Sequence, residues 1–349
     1  QVLGVEDVLT FDFVDPPAED QTIEALQHLY CLGALGPNGH ATATGRRMSG
    51  FPLEPSLSRV LLEANDLGCL EEALTIVALL SSESIWYSRR RVVGDGAGPG
   101  AGAKAGGGRE GRERGGDPEA EAHHARFHHP LGDHFTYLTV YKAWEASGFS
   151  NEWARQGFLR VRALRTAQSI RRQLLKEALK AFEGGQEQGQ GRVSSCGGDL
   201  DKVRKAVCAG FFMNAGQRCS KEWVYRSLAA AGGAPLGSGL TLMYLHPMSS
   251  LTMGDEAPDH VVYTELVFTA RPFMRHAMAV RGKWLRAHLR SVPPCSISEL
   301  CGRPSEERGA GAGAEPPDAG GGGRNGMPRP KEDKAAAVAA ARERFLARK

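Results

Sequence analysis

The feature that most constrains the fold is the stretch 158–180, which carries a clear helical period. Its polar positions recur at steps of 3, 4, 3, 4 and 4, so they lie along one side of a helix. Most of its apolar residues fall on the opposite side, where they can face a core. The polar side, which we call the basic stripe of this helix, consists of Arg162, Arg165, Ser169, Arg172, Lys176 and Lys180. The apolar set is Val161, Leu164, Ala167, Leu174, Leu175 and Ala178.

The charge of this helix leaves two interpretations open. Five cations line the stripe, and Glu177 is the one acidic residue of the stretch. Such a surface suits a polyanion better than a face that pairs its own charges. A solvated surface helix has the same spacing, and Arg160 and Arg171 interrupt the apolar side. The choice depends on the rest of the chain.

Length and composition limit the function classes. The 349 residues suffice for two or three domains of roughly 100–200 residues each. With 43 basic and 40 acidic residues the net charge is +3, so any polyanion site must be local. Seven cysteines without a CxxC pair indicate free thiols in a reducing compartment. No apolar run reaches the ~20 residues of a membrane helix, and no signal sequence is recognisable, so we expect no membrane partner.

Residues 15–53 predict a winged-helix-like unit. A helix is expected over 18–32, with Asp15 as its cap and two prolines in its first turn. The glycine-containing stretch 33–39 forms a turn before a short helix at 44–48. Such units bind nucleic acid or pack against neighbouring domains, and both uses stay open here.

Residues 54–183 predict a helical bundle interrupted by a flexible insertion at 92–118. Two core helices are expected between residues 55 and 86, broken at 66–69. Positions 94–116 hold 11 of the 44 glycines, which excludes a buried face there. A helix at 135–144 follows, with Asp133 as its cap.

Five histidines cluster between these segments, at positions 123, 124, 128, 129 and 134. A metal site is one interpretation of such a cluster. The capping role of Asp133 favours the other, in which the histidines lie on the surface. We therefore predict no metal site and no catalytic residue.

Beyond a Gln/Gly linker at 184–191, residues 193–290 predict a helix followed by a small β-barrel. The helix is expected at 199–214, and strands at 223–228, 240–246 and 261–269. The segment 271–290 carries six basic residues and no acidic one, with Phe273 and Trp284 among them. Cations and rings together hold single-stranded nucleic acid, unless both rings are core. Residues 302–349 predict a disordered basic tail, with a short helix at 331–349.

Local motifs throughout the chain resemble those of the DEAH-box RNA helicases of the pre-mRNA-splicing type. The first group resembles their winged helix: residues 12–17 (DFVDPP), 25–35 (ALQHLYCLGAL), 44–48 (TGRRM) and 51–55 (FPLEP). The second resembles their ratchet domain: 66–69 (DLGC), 74–81 (LTIVALLS), 132–134 (GDH) with Tyr141 and Trp144, 162–165 (RALR) and 170–174 (IRRQL). The third resembles their OB-fold: 210–215 (GFFMNA), 245–247 (LHP) and 263–266 (YTEL) through 274–275. The match extends from residue 4 to about 290, apart from the glycine insertion.

The resemblance implies a multidomain fold, mainly α, followed by an OB-fold, with residues 1–14 as the remnant of a preceding motor domain. It also implies that the chain lines a single-stranded RNA channel, docks glycine-patch activators or spliceosomal proteins, and resides in the nucleus. The RNA-contacting residues it implies are Arg162, Arg165, Arg172 and Lys176 on the helix, with Arg271 and Arg275 on the barrel.

Three departures from the family pattern matter. Met248 stands where relatives usually have Ser, and Arg271 where they usually have Lys. The 349 residues also contain no GxxxxGK[ST] loop, no DEAH box and no arginine finger. ATP hydrolysis requires those groups, so we expect no ATPase activity from this chain alone. ATP and Mg²⁺ would belong to motor domains outside it.

Two explanations for the missing motor stay open. The chain could be an adaptor that binds protein partners through its winged helix and OB-fold. It could also be a fragment of a longer protein, an interpretation favoured by its start on Gln1 within a motif.

Overall fold

The computed structural model describes residues 11, 13–87, 118–182, 193–219, 223–228, 242–254, 256–292 and 300. The expected insertion at 92–118 lies outside the described residues except for Pro118, which begins a helix. The expected tail at 302–349 and most of the expected remnant at 1–14 also lie outside them.

Nine of the described helices precede a mixed sheet along the chain, as the sequence predicts, and a tenth, which the sequence analysis did not predict, follows it. The helices are α1 (Glu19–Cys31), α2 (Ala43–Met48), α3 (Pro55–Leu67), α4 (Leu70–Leu80), α5 (Pro118–Ala125), α6 (Asp133–Ala146), α7 (Asn151–Gln156), α8 (Val161–Phe182), α9 (Leu200–Phe211) and α10 (Gly282–Ser291). The strands are β1 (Ala215–Arg218), β2 (Val224–Ser227), β3 (Leu242–Leu245), β4 (His260–Val262), β5 (Glu265–Phe268), β6 (Pro272–Arg275) and β7 (Met278–Ala279). We call residues 54–182 the helical region and residues 200–292 the sheet region.

The amino-terminal unit begins differently from the prediction. Helix α1 starts at Glu19, and its N-cap residue is Ala18, which makes no capping hydrogen bond. The prediction that Asp15 caps this helix is therefore wrong, because Asp15 lies four residues before the first helical turn. Helix α2 does have a side-chain cap, since Thr42 Oγ1 accepts a hydrogen bond from the Gly45 N–H at 2.9 Å.

The core of the helical region is built on α3, α4 and α8. The predicted break between α3 and α4 is confirmed. Gly68 ends α3 with a φ of 70°, a left-handed conformation that glycine adopts without strain. Helix α8 packs on α4 through its apolar side. Leu164, Ala167, Leu174 and Ala178 are buried there, as the period of the sequence predicts.

The strands form one mixed sheet in the order β5-β6-β3-β2-β1-β4-β7. Neighbouring strands pair antiparallel except β3 and β6, which are parallel. The single strand expected at 261–269 is two strands in the structure. The chain leaves β4 at Val262 because β4 pairs with β1 and β7, whereas β5 pairs with β6 at the opposite end of the sheet.

The helical region extends the sheet at one edge through residues 131–133. The Ala279 N–H donates to the Leu131 carbonyl at 3.0 Å, and the Asp133 N–H donates to the Ala277 carbonyl at 2.9 Å. Gly132, between them, has a φ of 122°, and a Cβ atom at this position would collide with the backbone of Ala277 and Met278. Glycine is required here because two backbones approach closely.

His134 follows this contact and is fully buried. Neither of its ring nitrogens has a hydrogen-bond partner among the described residues. Burial, together with a smaller effect of the nearby His276, lowers its pKa from 6.5 to about 3. Burial likewise lowers the pKa of His276 to about 4. Both rings are therefore neutral at physiological pH.

Acid is expected to destabilise the fold through these two rings. The unfolded chain protonates them near pH 6.5, whereas the folded chain protonates them only near 3 and 4. The stability they contribute is complete above pH 6.5 and is lost as the pH falls toward the folded values, at roughly 1.4 kcal/mol per ring and pH unit. Thermal midpoints measured between pH 7 and 5 should fall less steeply in His134→Leu than in the wild type.

His40→Leu, which changes an exposed histidine, is the matched control for that series. It should reproduce the wild-type pH dependence. If the thermal midpoint of His134→Leu fell with pH as steeply as that of the wild type, the pKa of His134 would not be lowered in the folded chain.

Among the described residues, no helix combines the length and the apolar character required to cross a lipid bilayer.

Candidate nucleic-acid interface

The polar side of α8 is exposed along its whole length. Every residue of the α8 basic stripe is exposed to solvent, which agrees with the face that the sequence predicts. Arg171, which interrupts the apolar side in the sequence, turns inward. Its Nε donates to Thr75 Oγ1 at 2.8 Å, and its guanidinium lies 5.9 Å from the Tyr141 ring centroid.

Arg165 differs from the other cations of the stripe because its guanidinium is used within the helical region. It donates to Asn151 Oδ1 at 2.9 Å and to the Phe149 carbonyl at 2.8 Å. It also lies 5.2 Å from the Trp144 ring centroid. These contacts tie α8 to α7 and to the loop before it. Arg165 was predicted to contact RNA, but most of its donors already have partners.

Three cations of the stripe keep their donors unused. Arg162, Arg172 and Lys176 have no side-chain hydrogen bond or ion pair with any residue that the structure describes. Lys180, at the end of the stripe, pairs with Glu177 at 3.1 Å. The central part of α8 therefore presents uncompensated positive charge to solvent.

The sheet region presents aromatic and basic side chains on its outer face. Tyr244 of β3 lies opposite Phe273 of β6, and their ring centroids are 6.2 Å apart. His246 lies 6.1 Å from the Phe273 ring, and the Arg271 guanidinium lies 4.9 Å from the Tyr244 ring. The alternate residues, Met243 and Met274, are buried on the other face. This arrangement offers rings for bases and a cation for phosphate.

Arg275 lies on the same face, two residues after Phe273. It forms an ion pair with Glu265 of the neighbouring strand at 3.1 Å, and both side chains are partly exposed. A pair at such a surface contributes little to stability, so it leaves the guanidinium open to a competing anion.

A pocket of about 160 Å³ lies between the helical region and the sheet region. We call it the junction pocket. The helical region contributes Trp86, Tyr137 and Arg160, and the sheet region contributes His246, Arg275 and His276. Arg160 directly precedes α8, so the pocket adjoins the beginning of the α8 basic stripe. The side chain of Met248 also lines the pocket, and its N–H donates to His246 Nδ1 at 3.2 Å.

Asp133 lines this pocket and is not a helix cap. The N-cap residue of α6 is Gly132, and the Asp133 carboxylate turns to the sheet region instead. It accepts hydrogen bonds from the N–H groups of Ser250 (2.7 Å) and Ala277 (2.8 Å) and from the hydroxyls of Ser249 and Ser250 (3.0 Å each). The capping prediction is wrong because these four donors occupy both carboxylate oxygens.

The electrostatic character of the junction pocket follows from its histidines. Burial lowers the pKa of His276 to about 4, and it lowers the pKa of His128 as well. These rings are therefore neutral at physiological pH. The positive charge at the pocket comes from Arg160 and Arg275, while the rings supply flat and partly apolar walls.

The histidines of the predicted cluster separate into different environments. His124 and His134 are buried, so the prediction of surface histidines is wrong for these two. His123, His128 and His129 are partly buried. His124 Nε2 donates to the Phe158 carbonyl at 2.9 Å, which fixes α5 against the loop before α8. Over the described ranges, no three His, Cys, Asp or Glu side chains are grouped so that they could hold a metal ion.

Sequence reasoning missed part of the candidate interface. Arg160 counted as an interruption of the helix pattern, yet it lines the junction pocket. Tyr244 was not singled out, and His246 was noted only within the motif at 245–247, although the alternation of β3 could have placed both beside Phe273. Trp284, grouped with Phe273 in the basic segment 271–290, is buried at 9% exposure and does not belong to this face.

Comparisons with known proteins match all three parts of the chain. Residues 25–53 match the helicase-associated domain (HA2), winged-helix, and residues 54–137 match the helicase-associated domain (HA2), ratchet-like. Residues 203–292 match the oligonucleotide/oligosaccharide-binding (OB) fold. The chain is also 34% identical over 285 residues to the pre-mRNA-splicing factor ATP-dependent RNA helicase prp22 of Schizosaccharomyces pombe. This alignment covers 82% of the chain but only 21% of that relative.

Asp133→Asn is expected to destabilise the contact between the helical region and the sheet region. An amide retains one oxygen, so its NH₂ group must face the N–H of Ser250 or of Ala277, which cannot rotate away. A buried donor left without a partner costs about 1–3 kcal/mol. Urea denaturation should therefore show a lower midpoint for Asp133→Asn than for the wild type.

The control is Ser250→Ala, which removes a single hydroxyl donor. Its free energy of unfolding should fall by less, about 1 kcal/mol. Equal midpoints for Asp133→Asn and the wild type would show that the carboxylate does not hold the two regions together.

Proposed function

We propose that this chain, which corresponds to the winged-helix, ratchet-like and OB-fold part of a DEAH-box RNA helicase, lines one side of a path for single-stranded RNA. The observation that carries this proposal is the continuity of two complementary surfaces. The uncompensated cations of α8 lead to Arg160, and Arg160 shares the junction pocket with the outer face of the sheet region.

The two surfaces supply different parts of single-strand recognition. Arg162, Arg172 and Lys176 offer point charges to phosphates along a helix face. Tyr244 and Phe273 offer half-buried rings on which bases stack, and Arg271 is held beside them. Neither surface reads a base edge through a fixed set of donors, so we expect weak sequence preference.

The expected salt dependence follows from the number of cations. About five phosphates neutralised by the predicted residues give a slope of roughly −3 to −4 in log K against log salt, at ~0.7 per contact. Arg165 should contribute less to this slope than a free arginine would, because its donors are engaged by Asn151 and Phe149.

In a longer protein, the proposed role is to guide RNA during ATP-driven remodelling of RNA or ribonucleoprotein, in pre-mRNA splicing and hence in the nucleus. ATP and Mg²⁺ would be bound by motor domains, and glycine-patch activators or spliceosomal proteins would dock on the winged helix and the OB-fold. The chain spans about a fifth of the length of the curated relative it matches, so these roles concern more than this chain.

Charge reversal on α8 tests the proposal. Fluorescence anisotropy with labelled oligo(U), swept from about 50 to 300 mM salt, should show salt-sensitive binding by the wild type. Arg172→Glu/Lys176→Glu removes two phosphate contacts, so affinity should fall at least about tenfold and the slope should shrink by about 1.4. Arg165 is left unchanged because its loss would disturb α7.

The matched control is Arg286→Glu/Arg290→Glu on α10, which makes the same change in net charge on another element. It should bind oligo(U) like the wild type. Equal losses in the two variants would mean that total charge, and not the α8 stripe, determines binding. No binding by the wild type would leave docking of protein partners as the function of this chain.

A further inference from the structure

Helix α10 presents a second basic surface, on a different element from the proposed RNA path. Lys283, Arg286 and Arg290 are exposed at steps of 3 and 4, so they share one side of the helix. The other side is buried through Trp284 and Leu285. The helix contains no acidic residue. We call Lys283, Arg286 and Arg290 the α10 basic face.

Among the described residues, the carboxylates near this face are already engaged. Asp201 accepts from Arg204 and from Arg281 at 2.7 Å each. Asp259 pairs with Arg218 at 2.6 Å. Glu63, whose charge acts on the pKa of His288 in α10, pairs with Arg59 at 3.0 Å. In the part of the chain that the structure describes, no ion pair neutralises the α10 basic face.

Further cations extend the positive surface around the buried ring of Trp284. Lys205 Nζ lies 5.7 Å from the ring centroid, and the Arg281 guanidinium lies 5.3 Å from it. Arg204 contacts the same ring at 5.2 Å. The ring holds these cations in place through cation–π attraction and is itself only 9% exposed.

The composition of this surface distinguishes it from a site for single-stranded RNA. Surfaces of that kind combine cations with accessible rings. Here Trp284 lies beneath cations, and Phe212 is stacked on His288 at 5.5 Å. A partner would therefore find charge without a stacking platform.

The dimensions also disfavour double-stranded RNA. At 1.5 Å per residue, the three cations of the face extend over only about 10 Å along the helix axis. Modules that bind RNA duplexes by shape span about 16 base pairs. Carboxylates on one side of a partner helix recur at the same steps of 3 and 4 residues, so two helical turns would match the face.

We propose that α10 docks an acidic helical segment of a partner protein, which pairs its carboxylates with Lys283, Arg286 and Arg290. The buried side of α10 packs against α9, so the basic face is presented on a fixed support. This docking site uses other residues than the RNA path and does not depend on it.

The test uses the full chain and two labelled helical peptides of equal composition. In the first peptide, glutamates recur every three to four residues on one side; in the second, the same glutamates are distributed around the helix. Anisotropy at low salt should show that the first peptide binds at least about threefold more tightly, because only its carboxylates meet all three cations at once.

Charge reversal on α10 then identifies the site. Lys283→Glu/Arg286→Glu/Arg290→Glu should lower affinity for the first peptide at least about tenfold, and a peptide with lysine in place of glutamate should bind the variant instead. Arg172→Glu/Lys176→Glu on α8 should leave peptide affinity unchanged. Lys283→Ala/Arg286→Ala/Arg290→Ala, which keeps high helix propensity, serves where the reversal impairs folding.

Three outcomes would overturn the proposal. The wild type could bind both peptides equally, or the α10 variants could bind the first peptide as well as the wild type does. Oligo(U) or duplex RNA could instead lose about tenfold in affinity in the α10 variants, which would make RNA the occupant. If Arg172→Glu/Lys176→Glu alone fails to bind RNA, that result tests the RNA path and leaves the α10 docking site untouched.

Discussion

The Asp133 carboxylate is the interaction on which the arrangement of the candidate interface depends. It joins α6 to the loop that follows β3 and to the residue before β7, through two N–H groups and two hydroxyls. Gly132 allows the backbones to meet, and the neighbouring strand pairing continues the sheet into the helical region. Because Asp133 also lines the junction pocket, this contact helps to hold the walls that the two regions contribute to it.

The charged surfaces lie on separate elements, because each element buries a different side in the core. The α8 basic stripe lies on the side of a helix whose apolar side packs on α4. The outer face of the sheet region lies on the side of the strands opposite the buried Met243 and Met274, and Arg160 lines the pocket between this face and α8. Helix α10 forms the second half of the basic segment 271–290, and it packs on α9 instead of joining this face. One basic segment of the sequence therefore serves two surfaces with different chemistry.

Local signals in the sequence predicted much of the fold. The period of 158–180 identified the buried side of α8, and the motif at 66–69, which contains Gly68, identified the break between α3 and α4. Contacts between distant residues could not be predicted in this way. The partners of Asp133 are 116 to 144 residues away, and those of Arg165 depend on how α7 returns to α8. The strand expected at 261–269 divides because its two halves pair with different strands.

The most direct test of the RNA path is photo-crosslinking of oligo(4-thiouridine) to the full chain, with the crosslinked residues mapped by mass spectrometry. A strand held by α8 and by the outer face of the sheet region should crosslink near Tyr244 and Phe273 and near Trp86 and Tyr137 at the junction pocket. Crosslinks confined to the winged helix or to α10 would contradict this path, since neither contributes a side chain to the pocket.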